Sequence, residues 1–345
     1  MTRTDIKSLP REELGAMLKA AGFPAFRAAQ VGNWLDKGVT DFGEMTNLPG
    51  NLKEWLTANC CIPSVTIERR LESKRDETVK YLFRLHDGET VESVLMHYHH
   101  GWSQCLSTQV GCRMGCTFCA TGMGGLIRNL SAAEMIAQIE AAQADRGVRV
   151  SSIVLMGMGE PLDNYDNVRR FLHMLSEPEG VHIGMRHVSL STCGLVDQIY
   201  RLMEEDLQLT LSVSLHAPND EIRSRTMKVN RKWPVAELLK ACRDYTEKTG
   251  RRISFEYAMI DGVNDSDACA IELAGRLKGM LCHVNLIPVN EVAGKDQRRS
   301  KAARIEAFCN ILAARGIPVT VRRTLGSDIN ASCGQLRRAA DADKD

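Results

Sequence analysis

Aromatic residues are scarce in this chain, at 5% of 345 positions. That scarcity argues against a nucleic-acid surface built by stacking bases on an aromatic sheet, and leaves basic side chains and shape as the means of any such contact. No uncharged apolar run approaches the ~18 residues a membrane span requires. No charged-then-apolar leader opens the sequence (MTRTDIKSLPREEL), so a cytoplasmic protein with no membrane partner is expected. Internal repeats and low-complexity segments are missing too, and the 44% hydrophobic and 25% charged content are those of an ordinary globular chain.

Net charge is also small, at +1, which argues against a generic polyanion binder. The average hides an uneven distribution. Asn129 to Glu221 carries 6 Lys/Arg against 14 Asp/Glu, whereas Ile222 to Arg252 carries 10 against 3 and Lys295 to Arg304 carries 5 against 1. Local positive fields of this kind can hold a phosphate backbone on a neutral protein, and a solvated basic face is the plainer alternative.

Cysteine is what the chain has in quantity. Twelve thiols in a short secreted protein would indicate a disulfide framework, but spread over a leaderless chain of enzyme size they point to metal binding and thiol chemistry.

Residues 1–62 read as a compact helical module: REELGAMLKAAG, FRAAQVGNWLDKG and LPGNLKEWLTAN each show helical periodicity. Residues 63–97 change to β-branched alternation with a turn at Asp87-Gly88, a β-rich connector. From about Cys105, strand-like runs (CLSTQV, SSIVLMG, HVSLST, LQLTLSVSLH, RISFEYAMI, CHVNLIPV, IPVTVRR) alternate with amphipathic helical stretches, which predicts an α/β fold with a parallel sheet. Ser131 and Glu134 have capping-box spacing ahead of an apolar stripe of Met135, Ile136, Ile139 and Ala142. In such folds ligands gather at the C-terminal ends of the strands.

Cys112, Cys116 and Cys119 fall in one loop just past the first strand, spaced C-x3-C-x2-C among Gly111, Gly115 and Gly122. Three thiolates on a short loop can bind three irons of a 4Fe-4S cluster and leave the fourth open. A structural zinc site needs a fourth protein ligand, and no histidine lies in the loop. MGMGEP (Met156 to Pro161) follows the second strand. Its glycines allow close backbone approach, although glycine-rich strand-to-helix turns are common in any α/β protein. His97, His99 and His100 imitate a metal cluster but read as an exposed linker. Cys333 is unusual, a thiol beside Gly334 in a polar tail with no core to bury it. Cys105 alone reads equally as a core thiol, and Glu92 alone as a solvated carboxylate.

The cysteine loop, with Phe118 before its last cysteine, resembles the cluster motif of the radical S-adenosylmethionine (SAM) superfamily. A narrower resemblance, to the RlmN/Cfr branch of RNA adenine methyltransferases, covers nearly the whole chain. It is carried in order by FRAAQVGNWL, FGEMTNLP, VESVLM, CLSTQVGCRMGCTFC, MGMGEPLDNYDNV, LSTCG, SLHAPND, NLIPVN and GSDINASCGQL. The resemblance implies a partial (β/α)6 TIM-like barrel over residues 98–328, an RNA-binding helical accessory domain over 1–62, and a C-terminal tail, 329–345, that carries Cys333.

The resemblance further implies that Cys112, Cys116 and Cys119 hold the cluster, and that Gly159, Glu160, Ser191, Ser214, Leu215, His216 and Asn290 line the SAM site. Two SAM molecules serve each turnover. Cys333 takes a methyl group from the first, the deoxyadenosyl radical from the second removes a hydrogen from it, and the resulting carbon adds to adenine. Glu92 then accepts the ring proton, and Cys105 forms a transient disulfide with Cys333 to release the product. A radical route suits carbon 2 of adenine, which has no acidic proton, and the base must be unstacked to reach it. Large-subunit rRNA and tRNA are the implied partners, with a reducing electron donor such as flavodoxin, and the enzyme is implied to act as a monomer. Methylation at carbon 8 of the same adenosine is the rival within the branch, and a non-catalytic, RNA-binding iron-sulfur redox sensor the rival outside it. The N-terminal strings favour the RlmN side and carbon 2.

Overall fold

The computed structural model describes residues 3–177, 180–289, 297–323 and 325–329. At the N-terminus, helices α1 (Arg11–Ala20), α2 (Phe26–Asp36) and α3 (Gly50–Asn59) pack around a core of their own, in which Leu14, Leu18, Val31, Leu35, Leu52 and Leu56 are buried. Pro10 and Pro49 stand just ahead of α1 and α3, where the missing N–H costs nothing. Two short strands, β1 (Thr4–Asp5) and β2 (Cys60–Cys61), pair in parallel and tie the module's ends together. Polar contacts dock it on the helices of the larger α/β unit: Lys7 Nζ reaches Glu140 at 2.7 Å, and Arg170 Nε donates to the Ser8 carbonyl at 2.9 Å.

Strands β3 (Thr66–Glu72), β4 (Val79–Arg84), β5 (Thr90–Tyr98) and β6 (Gly101–Cys105) run antiparallel in succession. A separate hairpin, β7 (Gln109–Gly111) and β8 (Leu126–Asn129), frames the cysteine loop. β6 then pairs in parallel with β9 (Val150–Leu155), and β10 (Val188–Thr192), β11 (Thr210–Ser214), β12 (Ile253–Met259), β13 (Cys282–Pro288) and β14 (Val319–Val321) extend the parallel array. All ten strands of the order β14-β13-β12-β11-β10-β9-β6-β5-β4-β3 belong to one sheet, so the β-rich connector continues the α/β sheet edge to edge.

Helices α4 (Ala132–Arg146), α5 (Tyr165–Ser176), α6 (Val196–Met203), α7 (Asp220–Thr226), α8 (Val235–Thr249), α9 (Asp267–Leu277) and α10 (Ala302–Ala314) connect the parallel strands. α4 begins as its sequence requires: Ser131 Oγ accepts from the Glu134 N–H at 3.2 Å, Glu134 returns the bond at 2.9 Å, and the Met135, Ile136, Ile139 and Ala142 stripe is buried. Among the described residues no helix is long and apolar enough to cross a membrane.

Two expectations shift. The first parallel strand ends at Cys105 instead of starting there. The chain turns because the N–H groups of Thr108 and Gln109 both donate to the Met158 carbonyl, at 2.8 and 3.2 Å, and leave the ladder. His97, His99 and His100 sit at the β5-β6 hairpin, where His97 stacks on Trp102 with ring centroids 4.6 Å apart. Beyond β14 the chain returns to the β3-β4 turn. There the Asp328 carboxylate accepts from Ser73 Oγ (2.7 Å) and the Lys74 N–H (2.9 Å), and Asp76 accepts from the Gly326 N–H (3.0 Å). This clasp joins the region after one edge strand to the turn beside the other.

Candidate active site

At the C-terminal ends of the parallel strands lies a cavity of about 720 Å³. It brings together Glu92, Cys105, Cys112, Cys116, Cys119, Gly159, Glu160, Ser191, Ser214 and His216, residues drawn from across the sequence. Its volume is in the range of small-molecule sites. Leu215 is not on its wall: that side chain is fully buried in the main core, and its carbonyl accepts from Arg223 Nε at 3.1 Å. Asn290 and Cys333 lie outside the described residues.

The cysteine loop is anchored through its backbone. The Cys112 N–H donates to the Gly125 carbonyl at 2.8 Å and the Thr117 N–H to the Thr226 carbonyl at 2.9 Å. Gly111 has φ +79°, and a Cβ there would stand 2.0 Å from the Gly125 oxygen, so only glycine lets the two strands of the hairpin meet. Burial pushes the Cys112 and Cys116 thiols up to about 12, with Cys119 adding to both, and all three cysteines line the one cavity. Thiols so perturbed stay protonated until a cation replaces the protons.

Among the described residues no three His, Cys, Asp or Glu side chains converge as they would on a single metal ion. A cubane cluster is wider than an ion, and its cysteines attach to separate irons. Three thiols that share one cavity wall without converging on a point therefore fit a cluster whose cysteines attach to separate irons better than a single closed zinc ion.

Beside the loop, Gly159 adopts φ +106°, and a Cβ there would lie 2.7 Å from Gln109. This close approach sets Glu160, whose own N–H donates to Gln109 Oε1 at 2.8 Å. Its buried carboxylate accepts from the Leu162 N–H (3.1 Å) and the Cys193 N–H (2.7 Å). Burial pushes the Glu160 carboxyl above its ordinary value, and these donors oppose the push.

His216 is held at φ +56°. Its Nδ1 accepts from the Ala258 N–H at 2.9 Å, which puts the ring proton on Nε2. Phe118 meets the imidazole edge-on with centroids 4.8 Å apart. Burial, helped by Arg223, lowers His216 to about 3, so the ring is neutral at ordinary pH.

Opposite stands a second group. Glu92 is the third residue of β5, buried and paired with Lys80 at 3.0 Å, which excludes the solvated-carboxylate reading. Cys105 is partly accessible at the end of β6. Burial raises its thiol, the Arg322 guanidinium lowers it, and Glu92 raises it again. Arg322, Arg323 and Arg299 also line the cavity, giving it a basic rim.

Sequence reasoning missed Lys80, Arg322 and Arg223. In VKYLFR the alternation assigns Lys80 to the outer face, but both faces of β4 are covered. Arg223 falls within a basic run of the sequence, yet it is wholly buried. Neither residue has a local signal that would single it out.

Two family models match the chain. Residues 106–273 match the radical SAM superfamily, and residues 4–62 match the ribosomal RNA large subunit methyltransferase N-terminal domain. The probable dual-specificity RNA methyltransferase RlmN of Alkaliphilus oremlandii (strain OhILAs) is 52% identical over 338 residues, covering 98% of each chain. Its counterpart in Lachnoclostridium phytofermentans is 53% identical over 338 residues, 98% of this chain and 95% of that one. Among solved structures, a radical SAM methyltransferase from Sphaerobacter thermophilus superposes with a TM-score of 0.88 at 48% identity, covering 96% of this chain and 98% of that one.

Proposed function

Because the chain belongs to the RlmN family of radical SAM methyltransferases, we propose that it methylates carbon 2 of a specific adenosine in large-subunit rRNA, and of adenosine in tRNAs. The observation that carries this reading is the cavity itself, in which a three-cysteine loop faces a partly accessible thiol, Cys105, and an ion-paired carboxylate, Glu92. Cys112, Cys116 and Cys119 would hold a 4Fe-4S cluster, and Gly159, Glu160, Ser191, Ser214, His216 and Asn290, with the Leu215 backbone, would hold SAM. Bound there, these groups supply a methyl group and a 5′-deoxyadenosyl radical, with two SAM used per turnover.

The chain's own residues do the rest. Cys333 carries the methyl-derived carbon to the base. Ile329 belongs to the clasped turn beside the cavity, and Cys333 is four residues on, a reach of up to about 14 Å. Addition of that carbon leaves one unpaired electron on the ring, which would return to the oxidised cluster, and Glu92, paired with Lys80 and shielded from bulk water, takes the ring proton from the enzyme-RNA adduct. The Cys105 thiolate then attacks the Cys333 sulfur. The electrons of the carbon-sulfur bond return to the bridging carbon, which takes up a proton as the new methyl group, and a Cys105–Cys333 disulfide remains for an external reductant. The basic rim of Arg299, Arg322 and Arg323 suits a phosphate backbone at the mouth, and the helical module, residues 1–62, offers a second RNA contact. The parts are read as a module at 1–62, a connector at 63–97, a core at 98–328 and a tail at 329–345. The enzyme would work as a cytoplasmic monomer with a flavodoxin-like electron donor.

Anaerobic reaction of the cluster-loaded protein with SAM, dithionite and ribosomal RNA, followed by nucleoside mass spectrometry against both synthetic methyladenosines, tests this. 2-Methyladenosine is expected. 8-Methyladenosine would reassign the regiochemistry, and absence of both 5′-deoxyadenosine and S-methylcysteine would favour the redox sensor.

A further inference from the structure

Among the described residues, Arg223 is the bulkiest side chain wholly sealed from solvent. Its guanidinium donates from Nε to the Leu215 carbonyl (3.1 Å), from Nη1 to the Asn230 side-chain oxygen (3.0 Å), and from Nη2 to the carbonyls of Cys193 (2.6 Å) and Ser214 (3.2 Å). All four acceptors are neutral. Among the described residues no carboxylate takes a hydrogen bond from it. Asp220 is one relay away, accepting from the Asn230 amide at 3.0 Å and from the Val235 N–H at 2.7 Å. A buried charge is costly unless an opposite charge stands by. The helix that carries Arg223 also anchors the cysteine loop, the Thr117 N–H donating to the Thr226 carbonyl at 2.9 Å, and Cys193 and Ser214, whose carbonyls the guanidinium grips, line the same cavity as Cys116. Cys116 belongs to the three-cysteine loop.

We propose that Arg223 is the counter-charge of the iron-sulfur cluster, a buried cation that favours the reduced state and so raises the cluster's reduction potential. The inference rests on the three-cysteine cluster proposed for this cavity. A 4Fe-4S core of charge 2+ held by three thiolates carries a net single negative charge, and reduction by one electron doubles it. A fixed cation in a low-dielectric interior stabilises the doubly negative state more than the singly negative one. The same guanidinium fork braces the chain at Cys193, Ser214 and Leu215, at and just past the ends of β10 and β11. Arg223 would therefore both position the cavity wall and tune the cluster, without touching substrate.

The test separates charge from fork. Arg223→Lys keeps the charge and loses the fork, whereas Arg223→Gln loses both. Each holoprotein, checked for iron and sulfide content, is poised with SAM at the potential where half of the wild-type clusters are reduced, and the reduced cluster is counted by electron paramagnetic resonance. In Arg223→Gln the reduced-to-oxidised ratio should fall about tenfold, equivalent to about 59 mV for a one-electron couple, while Arg223→Lys stays within about twofold of wild type. Equal falls in both variants, or no fall in either, overturn the proposal. If Arg223→Gln does not fold, Asp220→Asn serves instead. Removing that nearby carboxylate should raise the reduced fraction, and an unchanged fraction counts against the idea. Wild-type protein that assembles no cluster would instead overturn the cluster reading itself.

Discussion

Lys80 on β4 and Glu92 on β5 form an ion pair at 3.0 Å with both side chains withdrawn from solvent. Removing one member of a buried ion pair typically costs about 3–5 kcal/mol, whereas replacing both with apolar residues is often nearly neutral. Lys80→Met should therefore lower the denaturation midpoint sharply, and Lys80→Met/Glu92→Leu should recover most of the loss. If Glu92 is the base, the recovered double variant should still accumulate the enzyme-RNA adduct, seen as a shifted band on a denaturing gel. A double variant that turns over normally would remove Glu92 from the mechanism.

Cys105 gives a pH dependence with a definite sign. Burial raises its thiol above the ordinary value of 9.0, and Arg322 is the main opposing influence. Lys80, Glu92 and the Met156 N–H are the other groups acting on it. Only the thiolate attacks a disulfide-forming partner or an alkylating agent. The rate of Cys105 alkylation, followed on its own peptide by mass spectrometry, should keep rising through pH 9 without a plateau. Arg322→Gln should slow it at a fixed pH, because loss of the guanidinium leaves the thiol raised further and the thiolate scarcer. Arg322→Lys should restore most of the rate. A loss that persists at the highest pH would mean altered access and not altered charge.

The clasp makes a separate prediction. Asp76 accepts from the Gly326 N–H at 3.0 Å, and Asp328 accepts from Ser73 and Lys74. Asp76→Ala removes the clasp bond to Gly326, worth about 1 kcal/mol net, together with the bond from the Thr78 N–H inside the β3-β4 turn, so the clasp should open at least about fivefold more often. Limited proteolysis should then cut near residue 326 faster while the cluster absorbance stays unchanged. If the cut rate does not move, the clasp does not govern where the C-terminal segment starts.

How much of this was legible in the sequence depends on whether a residue's role is local. The Ser131–Glu134 box and its apolar stripe were readable because both partners lie within one turn. So was the cysteine loop, whose spacing brings three thiols to one cavity wall. The end of β6 was not: the CLSTQV run is rich in β-formers and reads as a strand, and only the distant Met158 carbonyl draws it off the ladder. Arg223 was hidden for the same reason, since its acceptors come from β11, from the loops after β10 and β11, and from Asn230. Lys80 was hidden because alternation shows which residues share a face, not whether the second face is covered.

His216 offers the last prediction, again with a sign. Its folded value, about 3, lies below the ordinary 6.5, because burial disfavours the charged ring. The unfolded chain therefore binds the proton first. The neutral ring's contribution is complete above pH 6.5, declines as the pH falls below that, and is gone near pH 3. His216→Asn keeps a side chain that tolerates φ +56° but does not place an acceptor where imidazole Nδ1 meets the Ala258 N–H. At pH 7.5 the substitution should cost about 1–3 kcal/mol, the usual cost of stranding a buried donor. The gap between wild type and variant should narrow steadily in urea titrations from pH 7 to pH 4.5. A gap that stays constant would mean the ring is not held neutral by the fold, and its orientation by Ala258 would then have to be argued without the proton on Nε2.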